Sequence, residues 1–162
     1  MLFELKQLLS CRRERESRAA AALRQVRFRL NQAKAEAEAA REKLDEHHQD
    51  RKKRQDKLYR RSERSLLTKQ AIDDLNIELD LMGEETDALV KDVEEAEARV
   101  AGLTEELEDT AANYRRHQKA SDRFSLLVDD VALTTRRLAE QAEEFAIEDD
   151  LGDRRASSQY GF

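Results

Sequence analysis

The residue types that could do covalent or metal chemistry are few in this chain and badly spaced for it. His47 and His48 are adjacent, so on a helix their rings point to different faces and cannot share one ion as two histidines at i and i+4 can. His117 is remote from them, and the single cysteine, Cys11, has neither a disulfide partner nor a zinc-type spacing around it, which suits a reducing compartment. No Gly-rich run is available to cradle a phosphate. Gly83 and Gly102 stand alone in helical sequence, where each costs about 1 kcal/mol relative to Ala; they read as flexible points, places of close backbone approach, or tolerated sequence. The chain therefore reads as a non-enzyme with no metal and no cofactor.

Binding chemistry is better represented. Arg12, Arg13, Arg15 and Arg18, followed by Arg24, Arg27 and Arg29, make the beginning of the chain strongly cationic. Nucleic acid is one ligand for such a stripe, but the net charge is −6 and only Phe28 is placed for base stacking. An acidic protein channel is the better fit. A second group is apolar: Tyr59, Leu66, Leu67, Ile77 and Leu81 lie off the internal stripe described next, beside the apolar-free stretch 45–57. A helix pair buries only a stripe, so these five are expected to be exposed for a partner.

The elements that must carry these groups are set by hydrophobic spacing. From Ile72 to Phe145, steps of three and four land on Ile72, Leu75, Leu79, Met82, Thr86, Leu89, Val93, Ala96, Val100, Leu103, Leu107, Thr110, Tyr114, His117, Ser121, Phe124, Val128, Val131, Thr135, Leu138, Ala142 and Phe145. None is charged, although the chain is 41% charged and roughly nine charges would fall there by chance. This is a coiled-coil seam of about ten heptads. The first half repeats it less strictly, through Leu5, Leu9, Arg12, Glu16, Ala19, Leu23, Val26, Leu30, Ala33, Ala37, Ala40, Leu44, His47, Arg51, Arg54 and Leu58. The small Ala33, Ala37 and Ala40 suit larger partners such as Val100, Leu103 and Leu107.

Charge decides how the halves pair. Residues 1–70 hold 20 Lys and Arg against 11 Asp and Glu, a net of +9; residues 71–162 hold 10 against 25, a net of −15. Parallel copies would set like against like, whereas folding back sets basic helix on acidic helix. The expected fold is therefore all-α: two long helices in an antiparallel coiled-coil hairpin, monomeric, with helix 1 at about 3–62, a turn at about 62–70 and helix 2 at about 71–146. Ser65 and Thr68 are the capping candidates. Residues 147–162 are polar and aperiodic and are expected to form a mobile, disordered tail. No Pro and only four Gly interrupt the helices, and 5% aromatics cannot fill a wide core. Each arm would be roughly 90 to 110 Å long. No apolar run is long enough to span a bilayer and the opening residues lack signal-peptide order, so a cytoplasmic protein without membrane insertion is expected.

These features resemble the YscO/FliJ proteins, coiled-coil components of bacterial type III secretion and flagellar export ATPases. The likeness covers nearly the whole layout. An aliphatic start and Arg-rich helix over 3–18 is similar to the family's N-terminus, and His117-Gln-Lys-Ala-Ser-Asp-Arg-Phe124 with Glu143-Glu-Phe-Ala-Ile-Glu148 is similar to the late second helix of the injectisome branch. The resemblance implies a non-enzymatic stalk at the base of the secretion apparatus. Its paired termini would dock in the hexameric ATPase, through Arg12, Arg13, Arg15 and Arg18. Its turn would meet the export gate or secretion chaperones, through Tyr59, Leu66, Leu67, Ile77 and Leu81. An escort chaperone or adaptor, and a structural homodimeric coiled coil, are the alternatives.

Overall fold

The computed structural model describes residues 1–64 and 68–159, and the side chains among them except those of residues 152, 153 and 155–159. Two helices account for them, α1 over Leu2–Arg64 and α2 over Lys69–Gln159. Ala, Leu, Arg, Glu, Lys and Gln dominate both, the residues that lose least on entering a helix. Thr68 starts α2 as its N-cap, its hydroxyl accepting from the Ala71 N–H at 3.2 Å and its carbonyl from the Ile72 N–H at 3.1 Å. The other capping candidate, Ser65, lies outside the described residues. A Cβ added at Gly83 or Gly102 would meet nothing within 4 Å, so neither glycine marks a close approach within the chain.

The helices form an antiparallel coiled-coil hairpin, described as two compact units: one of Met1–Ala21 with Ala112–Phe162, the other Ala22–Ala111. Within the second, Arg29 pairs with Glu106 at 2.6 Å, Glu36 with Arg99 at 3.2 Å, Arg41 with Glu97 at 2.7 Å and Arg54 with Glu85 at 3.8 Å. As the α1 number rises the α2 number falls, which is the antiparallel order that the opposed charges of the two arms require. Each pair is exposed and contributes at most about 1 kcal/mol, so together they set orientation while burial supplies stability. Arg41 accepts this role most fully: its hydrogen bond to Glu97 and that carboxylate's charge raise the guanidinium's proton affinity above the ordinary arginine value.

The core of this unit is the thin stripe that the spacing implies. Leu23, Val26, Leu30, Ala33 and Ala37 of α1 and Met82 and Ala96 of α2 are buried, each large one contributing about 1.5–3 kcal/mol. Ala37 shares a depression with Val100, as small-to-large packing predicts, whereas Ala40 lies with Leu89 and Ala96. Near the turn the seam shifts by one residue, so that Ala71 and Gln55 are half-buried while Ile72 and Arg54 are exposed. At Ile72 the shift follows from the cap, because the first turn of α2 is fixed by Thr68 and not by the heptad.

In the terminal unit Leu9, Ala19, Ser121 and Val128 are buried. The expected seam does not close along its whole length. Every described side chain from Leu133 to Leu151 is exposed, including Thr135, Leu138, Ala142 and Phe145 of the predicted seam. The helices differ in length, 91 residues in α2 against 63 in α1, and the described α1 does not cover this part of α2. The helix itself does not end at 146 as the loss of periodicity suggests, but continues to Gln159. With no Pro to break it and an Arg154–Asp150 pair at i, i+4, the backbone satisfies its own hydrogen bonds without a packed face.

Candidate docking surfaces

The four N-terminal arginines are exposed but do not form one stripe. At 100° per residue, Arg15 and Arg18 fall on one flank of the α1 seam and Arg13 on the other, with Arg12 on the seam line itself. Arg12 closes the seam in an unusual way, its guanidinium standing 4.9 Å over the centroid of the Phe124 ring, a cation–π contact of about 0.5–2 kcal/mol. Arg18 is paired with Glu14 one turn earlier. Arg13 and Arg15 have no ionic partner among the described residues, which leaves these two with their charge entirely outward.

Of the five apolar residues assigned to the turn, Leu66 and Leu67 lie outside the described residues. Tyr59, Ile77 and Leu81 are 52%, 57% and 53% exposed, consistent with a position off the stripe. They are not one patch: Ile77 and Leu81 share the face of α2 opposite its seam, while Tyr59 flanks the seam on α1. Close to the turn, Leu58, Arg61, Ser62, Ala71, Asp74, Leu75 and Glu78 line an open groove of about 380 Å³, with aliphatic floor and charged walls.

The second unit also holds a polar layer that spacing places but does not explain. His47 is only 13% exposed, so it is a seam residue rather than a solvated one. Thr86 is buried and its hydroxyl donates to the Met82 carbonyl at 2.8 Å. It receives Arg51 Nη1 at 2.8 Å and meets His47 Nε2 at 3.0 Å, which fills the hydroxyl's one donor and two acceptor positions when His47 carries its proton on Nε2. Glu85 stands 4.0 Å from His47 Nδ1. A satisfied polar layer of this kind fixes register at a cost in stability. Replacing His47, Arg51 and Thr86 together by Leu is therefore expected to raise stability by about 1 kcal/mol or more, read as a higher urea midpoint; an unchanged or lower midpoint would show that the layer itself stabilises the hairpin.

Sequence reasoning missed two things: this network, and the exposed apolar groups of late α2. The second carried no distinguishing signal, because its three-four spacing is that of the paired part of the seam. Among the described residues no three His, Cys, Asp or Glu are grouped to hold a metal ion, and no helix is long and apolar enough to cross a membrane.

Comparison with known proteins accounts for the architecture. The family model for the type III secretion protein YscO matches residues 5–152. No curated protein matches the chain. Among solved structures it is similar to the 2.8 Å crystal structure of type III secretion protein YscO from Vibrio parahaemolyticus, at a TM-score of 0.83 and 18% identity over 91% of this chain and 93% of that one. That identity carries the fold alone, and the family match, spanning most of the sequence, carries the assignment: the chain belongs to the YscO family of type III secretion proteins.

Proposed function

We propose that this protein is the central stalk component of a bacterial type III secretion system, working in the cytoplasm at the base of the apparatus. Its terminal unit docks in the hexameric secretion ATPase, and its turn contacts the export gate. The observation that carries this reading is a hairpin that buries its seam from Leu23 to Ala37 yet leaves exposed groups in both units: Arg13 and Arg15 in one, Tyr59, Ile77 and Leu81 in the other. Surfaces rich in charge and poor in large apolar patches suit contacts that form and break during a working cycle. Folding needs no second chain, which favours a monomer in the working complex over a structural homodimer.

Replacing Tyr59 and Leu81 with Ala tests the turn surface. Exposed side chains contribute little to folding, whereas an interface aromatic contributes about 2 kcal/mol or more to binding. Secretion is expected to fall while helicity and melting temperature stay close to wild type. A loss of many degrees in melting temperature would return these residues to the core. The groove beside the turn favours a second reading, an escort role for secretion chaperones, which could use the same residues; loss of chaperone binding with gate binding intact would select it.

A further inference from the structure

The segment 51–64 of α1 holds eight Lys and Arg against two acids, Asp56 and Glu63, and the ATPase and gate contacts proposed above do not use these cations. They are not spread evenly. At 100° per residue, Arg54, Arg61, Lys57, Arg64, Lys53 and Arg60 follow one another around one side of the helix, from about 60° to about 180° off the line of its half-buried residues His47, Arg51, Gln55 and Leu58. No other residue of 51–64 falls in that arc, and Asp56 and Glu63 lie on the opposite flank with Tyr59. All six cations are exposed. Arg54 reaches Glu85 at 3.8 Å and Lys53 approaches Asp50 at 4.0 Å. Lys57, Arg60 and Arg64 have no ionic partner among the described residues, and with Arg61 they line an open depression of about 500 Å³. Like charges at i, i+3 and i, i+4 weaken a helix, so folding gives no reason for this face.

Its make-up says what it fits. The arc contains no apolar residue, and so lacks the anchors by which a groove or helix of another protein gains affinity. It contains no aromatic on which a nucleic-acid base could stack. A duplex groove would bring phosphates against both flanks of the helix, Asp56 and Glu63 included. A planar array of anions touches one side only. It needs neither a pocket nor a register, and it attracts each cation brought near it. The acids on the outward side of α2 in the same unit, Asp73, Asp80, Glu84 and Asp87, would then stand roughly 20 Å from that plane across the two helices. That is beyond the screening length of about 8 Å at physiological salt, so they do not oppose the contact.

We infer that the outward side of α1 over 53–64 is an electrostatic docking face for the anionic headgroups of a lipid bilayer, on which the helix lies without inserting. The face is turned away from Tyr59, so the gate contact proposed for that residue stands or falls separately.

The test is co-sedimentation of the full chain with vesicles of phosphatidylcholine and phosphatidylglycerol in equal parts, against vesicles of phosphatidylcholine alone. Binding is expected to the anionic vesicles only, and to weaken as salt rises. Lys53→Gln, Lys57→Gln, Arg60→Gln and Arg64→Gln together are expected to weaken it about fivefold per residue, roughly several-hundredfold in all. Melting should stay close to wild type, because each side chain is exposed and Gln forms helix about as well as Lys or Arg. Substituting Gln at Arg24, Arg27, Lys34 and Lys43, exposed cations of α1 in the same unit, removes the same net charge and is expected to weaken binding by about tenfold or less. Absence of binding to the anionic vesicles overturns the inference, as does equal binding to the neutral ones or an equal loss from the two sets of substitutions. So does a preference, lost with the first set, for a DNA duplex or for polyglutamate, which would give the face to a nucleic acid or to an acidic protein.

Discussion

Leu30→Asp is expected to cost about 3–5 kcal/mol and to unfold most of the hairpin at ambient temperature. Leu30 is 5% exposed, in an unbroken run of buried seam residues from Leu23 to Ala37, and a two-helix core has no second layer to rearrange around a carboxylate. The substitution adds a desolvated charge to the loss of the leucine's own burial. Leu138→Ser and Phe145→Ser remove apolar groups as large or larger in the same heptad phase, yet their melting temperatures are expected to match the wild type, since α1 does not reach them. Thermal melts by circular dichroism distinguish the two classes. Equal losses at both places would mean that the seam closes past Val131 after all.

Reversing Arg12, Arg13, Arg15 and Arg18 to Glu is expected to weaken binding to the cognate secretion ATPase by about 2–4 kcal/mol, thirtyfold to a thousandfold. Arg13 and Arg15 should carry most of it, because their charge faces outward, whereas Arg12 is held over Phe124 and Arg18 is paired with Glu14. The difference from wild type should be largest at low salt and should narrow as salt rises and screens both the attraction and the new repulsion. Isothermal titration at two ionic strengths reads both effects, and unchanged affinity would remove the arginines from the docking surface.

The fold was largely legible because its determinants are local and repetitive. Uncharged residues at three-four spacing specify helices and a seam, and the +9 and −15 halves specify that the seam is closed antiparallel. What the pattern hid follows from its own nature. Periodicity marks which face of a helix is suited to burial but not whether a partner is present, so Leu138 and Phe145 read like Leu103 and Leu107. Boundaries suffered for the same reason: the sequence after Ile147 loses its apolar stripe, yet a helix needs no stripe to keep its backbone bonds, and α2 runs on to Gln159. At the candidate surfaces, exposure of Tyr59, Ile77 and Leu81 could be read from their distance off the stripe, but their separation onto two helices could not be seen until register was known. The meeting of His47, Arg51 and Thr86 depends on the same register, which residue types alone do not set.

The account turns on the terminal unit and the turn touching different components of one apparatus. Photo-crosslinking amino acids placed singly at Arg15 and at Tyr59, in cells carrying the intact secretion system, test this directly. The ATPase should be captured from position 15 and the export gate from position 59, each without the other. Capture of the gate from position 15, or of the ATPase from position 59, would contradict the assignment of the two surfaces.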